Sequence, residues 1–137
     1  MKSIKERADV TLAAAQKLIA FSVDYAEQRQ LNLAIAVVDS SGQPVAFARM
    51  DGAALVTSEV ALGKAKAAAY LKAPSKLFED FVNSGATSML STPNVLPLQG
   101  GEPLLWDGLV VGAVGVSGAD GDTDNQTAQA IAGVFAD

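Results

Sequence analysis

Two pairs of short apolar runs, each pair joined by a tight turn, constrain this chain more than any other feature of its sequence. Asp107-Gly108 separates Leu104-Leu105-Trp106 from Leu109–Ser117. An Asp-Gly dipeptide in that setting favours a type I′ turn, whose positive φ angles match the twist of a hairpin. Ser40-Ser41-Gly42-Gln43 plays the same part between Leu33–Asp39 and Pro44–Arg49, and Met50-Asp51-Gly52 ends the second run. Hairpins imply an antiparallel sheet, so the segments between them must supply the layers that cover it.

Those segments read as helices. Residues 3–29 carry Ile4, Ala8, Leu12, Ala15, Leu18, Ile19, Ser22 and Ala26 on one stripe, with Ser3 and Glu6 placed as a capping box. Thr57 to about Lys72 is a second helix, stopped by Pro74, and Ser75–Asn83 a short third. A last helix runs from about Asp124 to Phe135, with Thr123 and Gln126 as its capping box. The fold class is therefore α/β in the α+β sense. Its central antiparallel sheet has about five strands if Val95–Leu98 adds one, and 137 residues make one domain.

Two segments stand out. The second helix is crowded with small residues, Ala61, Gly63, Ala65, Ala67, Ala68 and Ala69. Glycine inside a helix costs about 1 kcal/mol relative to alanine, so Gly63 and Ala67 are expected where another backbone comes close. Residues 84–103 hold Gly85, Pro93, Pro97, Gly100, Gly101 and Pro103. An irregular segment of that length is expected to be functional or at an interface.

Composition narrows the chemistry. The chain has no histidine and no cysteine, which removes imidazole and thiol catalysis, disulfides and the serine-triad reading of Ser117. A net charge of −5 with scattered lysines and arginines argues against nucleic acid as a partner. No apolar run reaches the ~18 residues of a membrane span, and none follows Met1-Lys2-Ser3-Ile4-Lys5-Glu6 as a secretory signal would. A cytoplasmic protein with no membrane contact is expected. Half of the residues are hydrophobic and only 18% charged; that surplus, with Val95, Leu96, Leu98 and Leu104 on or beside the irregular segment, points to a homo-oligomer.

The candidate site residues are polar groups and glycines at element ends. Arg49, followed by Asp51 and Gly52, either closes a local ion pair or rims a pocket and receives a carboxylate in bidentate fashion. Lys64 either lies in solvent or anchors an anion. Gly100, Gly101 and Gly118 would let backbone amides approach a ligand, with Ser117 beside them. Asp39 and Glu102 are the available acid–base groups. The glycines at 112, 115 and 118 do not have the spacing of a phosphate loop and read as close-packing positions. Asp120, Asp122 and Asp124 fit a helix start better than a calcium loop, so no metal site is expected.

Taken together, Asp39 to Gly52, the helix around Lys64-Ala65, Gly100-Gly101-x-Pro103 and Asp107-Gly108 through Gly118 resemble the GlcG/HbpS family, which includes the C-terminal domain of PduO-type proteins. The resemblance runs over nearly the whole chain. It implies a profilin-like fold, homo-oligomers and a small-molecule ligand. In some members that ligand is heme or another tetrapyrrole, and one branch degrades heme. Others sit beside glycolate, diol or aromatic catabolism, some of them supporting a flavin enzyme. The chain departs from the pattern at Ala67, where the family often carries threonine. Members that hold heme iron with histidine are no guide here; axial candidates would be Met50, Met89, Tyr25, Tyr70 or a lysine. Three functions follow as expectations. The first is a binding protein for heme, another tetrapyrrole, a flavin or a small organic acid. The second is an enzyme on a small carboxylate, anchored by Arg49 or Lys64 with Asp39 or Glu102 as base. The third is an accessory or assembly protein without a ligand.

Overall fold

The computed structural model describes residues 1–136. Both hairpins form. β1 (Ala34–Asp39) pairs with β2 (Pro44–Arg49), and β3 (Gly101–Trp106) with β4 (Leu109–Ser117). Asp107 and Gly108 both take positive φ, 49° and 75°, as a type I′ turn requires. The hairpins join edge to edge through β1 and β4, giving a four-stranded antiparallel sheet in the order β2-β1-β4-β3. The expected further strand at Val95–Leu98 is absent from it. Val95 instead packs inward with Ala67, Phe78 and Val82, and Leu96 lies against Gly63.

Helices cover both faces. α1 (Leu12–Gln28) and α4 (Gly121–Ala136) lie on one, α2 (Thr57–Leu71) on the other, and α3 (Ser75–Asn83) packs outside α2. Alternation along β1 divides the core. Leu33, Ile35 and Val37 join Leu18, Leu104, Val114, Val116 and Ile131 on the α1/α4 side. Ala34, Ala36 and Val38 meet Ala61, Ala65 and Ala68 on the α2 side.

Helix starts differ from expectation. α1 begins at Leu12, capped by Thr11, whose hydroxyl accepts the Ala14 N–H at 3.1 Å. The Ser3–Glu6 box does not form. Val10 is drawn into the core instead, where its N–H bonds the Val111 carbonyl at 2.9 Å, and Asp9 accepts the Ser40 N–H. These bonds hold residues 9 and 10 extended beside the sheet, which a helix from Ser3 would forbid. α4 begins early because Asp120 caps it, accepting the Thr123 N–H and hydroxyl at 2.9 and 2.8 Å. Thr123 is thus inside the helix and not its cap.

The close approach of α2 to the sheet is made by other residues than expected. A Cβ at Gly115 would overlap the Ala61 carbonyl, and one at Gly101 the Lys64 carbonyl. Gly63 faces outward, where a Cβ would meet the Leu96 side chain, its Cδ2 at 3.0 Å and its Cβ at 3.6 Å, and Ala67 meets the side chains of Phe78, Val82 and Val95. Small residues on the inner face therefore serve close packing. Gly115→Ala should cost ~1–3 kcal/mol by overpacking, whereas Gly63→Ala should be neutral or gain up to ~1 kcal/mol from helix propensity. Urea melts of the two variants check this; equal effects would contradict it.

Candidate functional site

The sheet register brings the expected segments to one end of the molecule. Arg49 pairs with Ala34, and Ala34 with Ser117, so the three lie in a row across β2, β1 and β4. Gly100 adjoins that row, its carbonyl accepting the Val116 N–H at 2.9 Å. Arg49 is exposed on the edge strand, and among the described residues no ion pair engages it. With Glu27, Met50, Asp51 and Gly52 it lines a cavity of about 620 Å³ at the C-terminal end of α1. Asn32 fills the space that a side chain at Gly52 would need.

Lys64 has a different environment from both readings of its sequence context. Its ammonium is inside the protein, 3.0 Å from Asp124 Oδ2 and 2.9 Å from the Val116 carbonyl, with the two side chains only 4% and 3% exposed. Asp124 Oδ1 accepts the Ala119 N–H at 2.9 Å. Burial pushes the Asp124 carboxyl up, against the pull of that N–H and of the Lys64 charge. Gly100 and Gly101 are shaped by this lysine. A Cβ at Gly100 would fall 3.0 Å from Lys64 Nζ, and one at Gly101 would overlap the Lys64 backbone. Gly118, at φ 143°, lies against the Asn32 carbonyl. Ser117 is buried beside them. The glycines give room to the protein's own backbone and to Lys64.

The two acid–base candidates lie on β1 and β3, with β4 between them. Asp39 belongs to its turn, its carboxylate accepting the Ser41 N–H and hydroxyl and the Gln43 N–H at 2.7–3.0 Å. Burial would raise this carboxyl, but those hydrogen bonds outweigh it and hold it below the ordinary aspartate value. Glu102 is 9% exposed, on the edge strand β3, and burial pushes its carboxyl up to about 7.

A feature that sequence reading did not assemble lies on the outer face of α2. Glu59, Leu62, Gly63 and Lys66 recur at i, i+3, i+4 and i+7, the spacing of one helical face. Residues 90–97 fold back along that face. Leu90, Val95, Leu96 and Pro97 close a groove of about 540 Å³ against Leu62 and Gly63, with Glu59 and Lys66 at its sides. A smaller apolar pocket of about 300 Å³, walled by Ala36, Pro44 and Phe47, shares Glu59 and Leu62 with it. The available signal was that helical spacing together with the proline-rich segment. Val95 and Leu104, expected at an interface, are core residues.

Residues 10–132 match the family described as "Haem degrading protein HbpS-like". The chain belongs to the HbpS-like family. Protein GlcG of Escherichia coli K12 is 35% identical over 83% of this chain and 85% of its own. A crystal structure of a double mutant of Streptomyces reticuli HbpS superposes with a TM-score of 0.90 at 32% identity, covering 100% of this chain and 94% of that one. The structure of a PduOC:heme complex superposes at 0.82 with 29% identity over 92% and 94%. No helix among the described residues is long and apolar enough to cross a membrane.

Heme is thus the cofactor to test against the residues present. The α2 groove suits a flat apolar ring, with Lys66 beside it for a carboxylate. The methionine and tyrosine candidates and Lys64 are engaged elsewhere. Met50 sulfur accepts the Leu33 N–H at 3.4 Å, and Met89 packs onto the Phe78 cluster. Arg29 stacks 3.5 Å over the Tyr25 ring, Tyr70 fills the space beside Gly42, and Lys64 is held by Asp124. The groove offers apolar walls and one cation, Lys66, which is the lysine left beside it as an axial candidate.

Glu102 makes the stability of the fold pH-dependent. Its folded value of about 7 lies above the ordinary 4.5, so between those values the folded state keeps a proton that the unfolded chain releases. Its contribution is intact below about pH 4.5 and is lost as pH rises through 7. Glu102→Gln should leave stability unchanged at pH 4 and raise it by roughly 1–3 kcal/mol at pH 8. Denaturant midpoints at the two pH values measure this, and an equal gain at both would contradict it.

Proposed function

We propose that this protein binds a flat, apolar, carboxylate-bearing small molecule of the tetrapyrrole class in the groove between α2 and residues 90–97. The groove's composition carries the reading. Leu62, Leu90, Val95 and Leu96 offer apolar walls, Gly63 leaves room between them, and Lys66 supplies one cation at the side. Its volume falls in the range of pockets that bury a small organic ligand, about 300–1,000 Å³. The PduOC:heme complex among the related structures and the family's description support the tetrapyrrole class. Without imidazole or thiolate, affinity comes from ring burial and carboxylate pairing. Metal-free protoporphyrin IX and hemin should therefore bind with affinities within about tenfold of each other. Leu62→Glu should weaken both at least tenfold, a loss of about 1.4 kcal/mol or more. Absorbance titrations check this. A sharp hemin complex of submicromolar affinity beside negligible binding of the metal-free ring would overturn it, as would a Leu62→Glu variant that binds normally.

A second reading rests on Arg49. Its guanidinium is exposed at the rim of the 620 Å³ cavity, beside Asp51 and Gly52, and would receive a small organic acid. Ser117 and the Gly100-Gly101 and Gly118 backbone would then shape the adjoining sheet end. An enzyme acting on such an acid would need a base other than Asp39, whose carboxylate is committed to its turn.

The protein also self-associates in this reading, in the cytoplasm. Phe47, Leu55, Val56 and Trp106 are exposed at 47, 79, 62 and 61%, more apolar surface than a free monomer suits. Light scattering at micromolar concentration should give a multiple of 14.0 kDa; a mass near that value itself would contradict it.

A further inference from the structure

Glu102 is a buried carboxyl that the proposed ligand groove does not use. On β3 it pairs with Val114 of β4, and strand alternation turns it away from the α2 side, which Gly101 faces. Only 9% of the residue is exposed, and among the described residues no hydrogen bond or ion pair reaches its carboxyl. It opens onto a cavity of about 450 Å³ walled by Pro74, Pro103, Leu105, Ala132 and Gly133, with Lys72 at its side. The cavity is otherwise apolar, which is a costly place for a carboxylate to ionise alone.

We propose that this cavity binds a small organic cation, an ammonium head on an apolar body, with Glu102 as its counter-ion. Three observations converge. The walls suit an aliphatic body, and Glu102 is the acidic group among the described residues that line them. α2 also ends here: Lys72, in the left-handed conformation at φ 52°, caps it, and Ala73 and Pro74 line the cavity. The C-terminal end of a helix carries about half a negative charge, which favours a cation. Lys72 is the charged side chain on the wall, and it is exposed and forms no ion pair with Glu102. Burial governs the Glu102 carboxyl, and Lys72 on the wall does not pair with it, so an entering ammonium would supply the counter-charge. The site lies at the β3 edge, between the end of α2 and α4, and shares no lining residue with the α2 groove, so its test is independent of that reading.

The test is an NMR titration of the full chain at pH 8 with n-butylammonium, n-butanol and butyrate. The ammonium should shift the Gly133 and Leu105 amides saturably with a millimolar dissociation constant, while the alcohol and the acid leave them unmoved. Glu102→Gln should weaken the ammonium at least tenfold. Gly133→Leu, whose new side chain enters open space, should abolish binding while the rest of the spectrum stays native. Lys72→Met should bind as well as the parent or better. The proposal is overturned if n-butylammonium gives no saturable shift. It is also overturned if n-butanol binds equally well, or if both Glu102→Gln and Gly133→Leu bind like the parent.

Discussion

The buried pair Lys64–Asp124 joins the two helical layers across the sheet. Lys64 rises from α2 on one face, passes the Val116 carbonyl near the end of β4, and meets the first turn of α4 on the other. Burying two charges is expensive, and their attraction offsets that cost only where geometry is good and the remaining polar atoms are satisfied. Here the carboxylate has a backbone N–H and the ammonium a backbone carbonyl as second partners. Loss of either member would leave a buried uncompensated charge at about 3–5 kcal/mol. Gly100 and Gly101 follow from the same contact, because the lysine and its backbone occupy the space a side chain would need.

With Lys64 turned inward, α2 divides its small residues between two uses. Ala61, Ala65 and Ala68 face the sheet, and Gly115 lets the Ala61 carbonyl settle onto β4. The outer face keeps Leu62, Gly63 and Lys66 for the segment that folds over it. Residues 90–97 lie alongside this closely packed helix and make the groove with it. Ser75 anchors the far end of that segment, donating to the Leu98 carbonyl at 2.6 Å while accepting the Gly101 N–H at 2.8 Å.

What could be read from sequence was local. Asp107-Gly108 specifies its turn through backbone sterics alone, and Asp39 with Gly42 closes the other hairpin through bonds within four residues. The paired hairpins therefore carried the fold class, and together with the helix around Lys64-Ala65 and Gly100-Gly101 the family resemblance. Signals failed where a distant partner decides the outcome. Ser3 and Glu6 have the form of a cap, but Val10 gains more from the core and from Val111. Lys64 finds its carboxylate sixty residues away, which no local pattern indicates. Val95–Leu98 has the apolar content of a strand, yet Leu96 against Gly63 and Val95 against Ala67 hold it on a helix. The expected segments do share one end of the sheet, because register puts Arg49, Ala34 and Ser117 in a row. Their side chains diverge, with Arg49 outward and Lys64 inward.

In the proposed binding mode α2 offers its outer face, with Lys66, to the ligand and keeps Lys64 on the inner side. A crystal structure of the protein grown with protoporphyrin IX tests it most directly. The ring should lie between Leu62 and Leu96, with a carboxylate on Lys66 and Lys64 still paired with Asp124. A ring seated against Arg49 and Asp51, or Lys64 released from Asp124 to meet a ligand carboxylate, would contradict it.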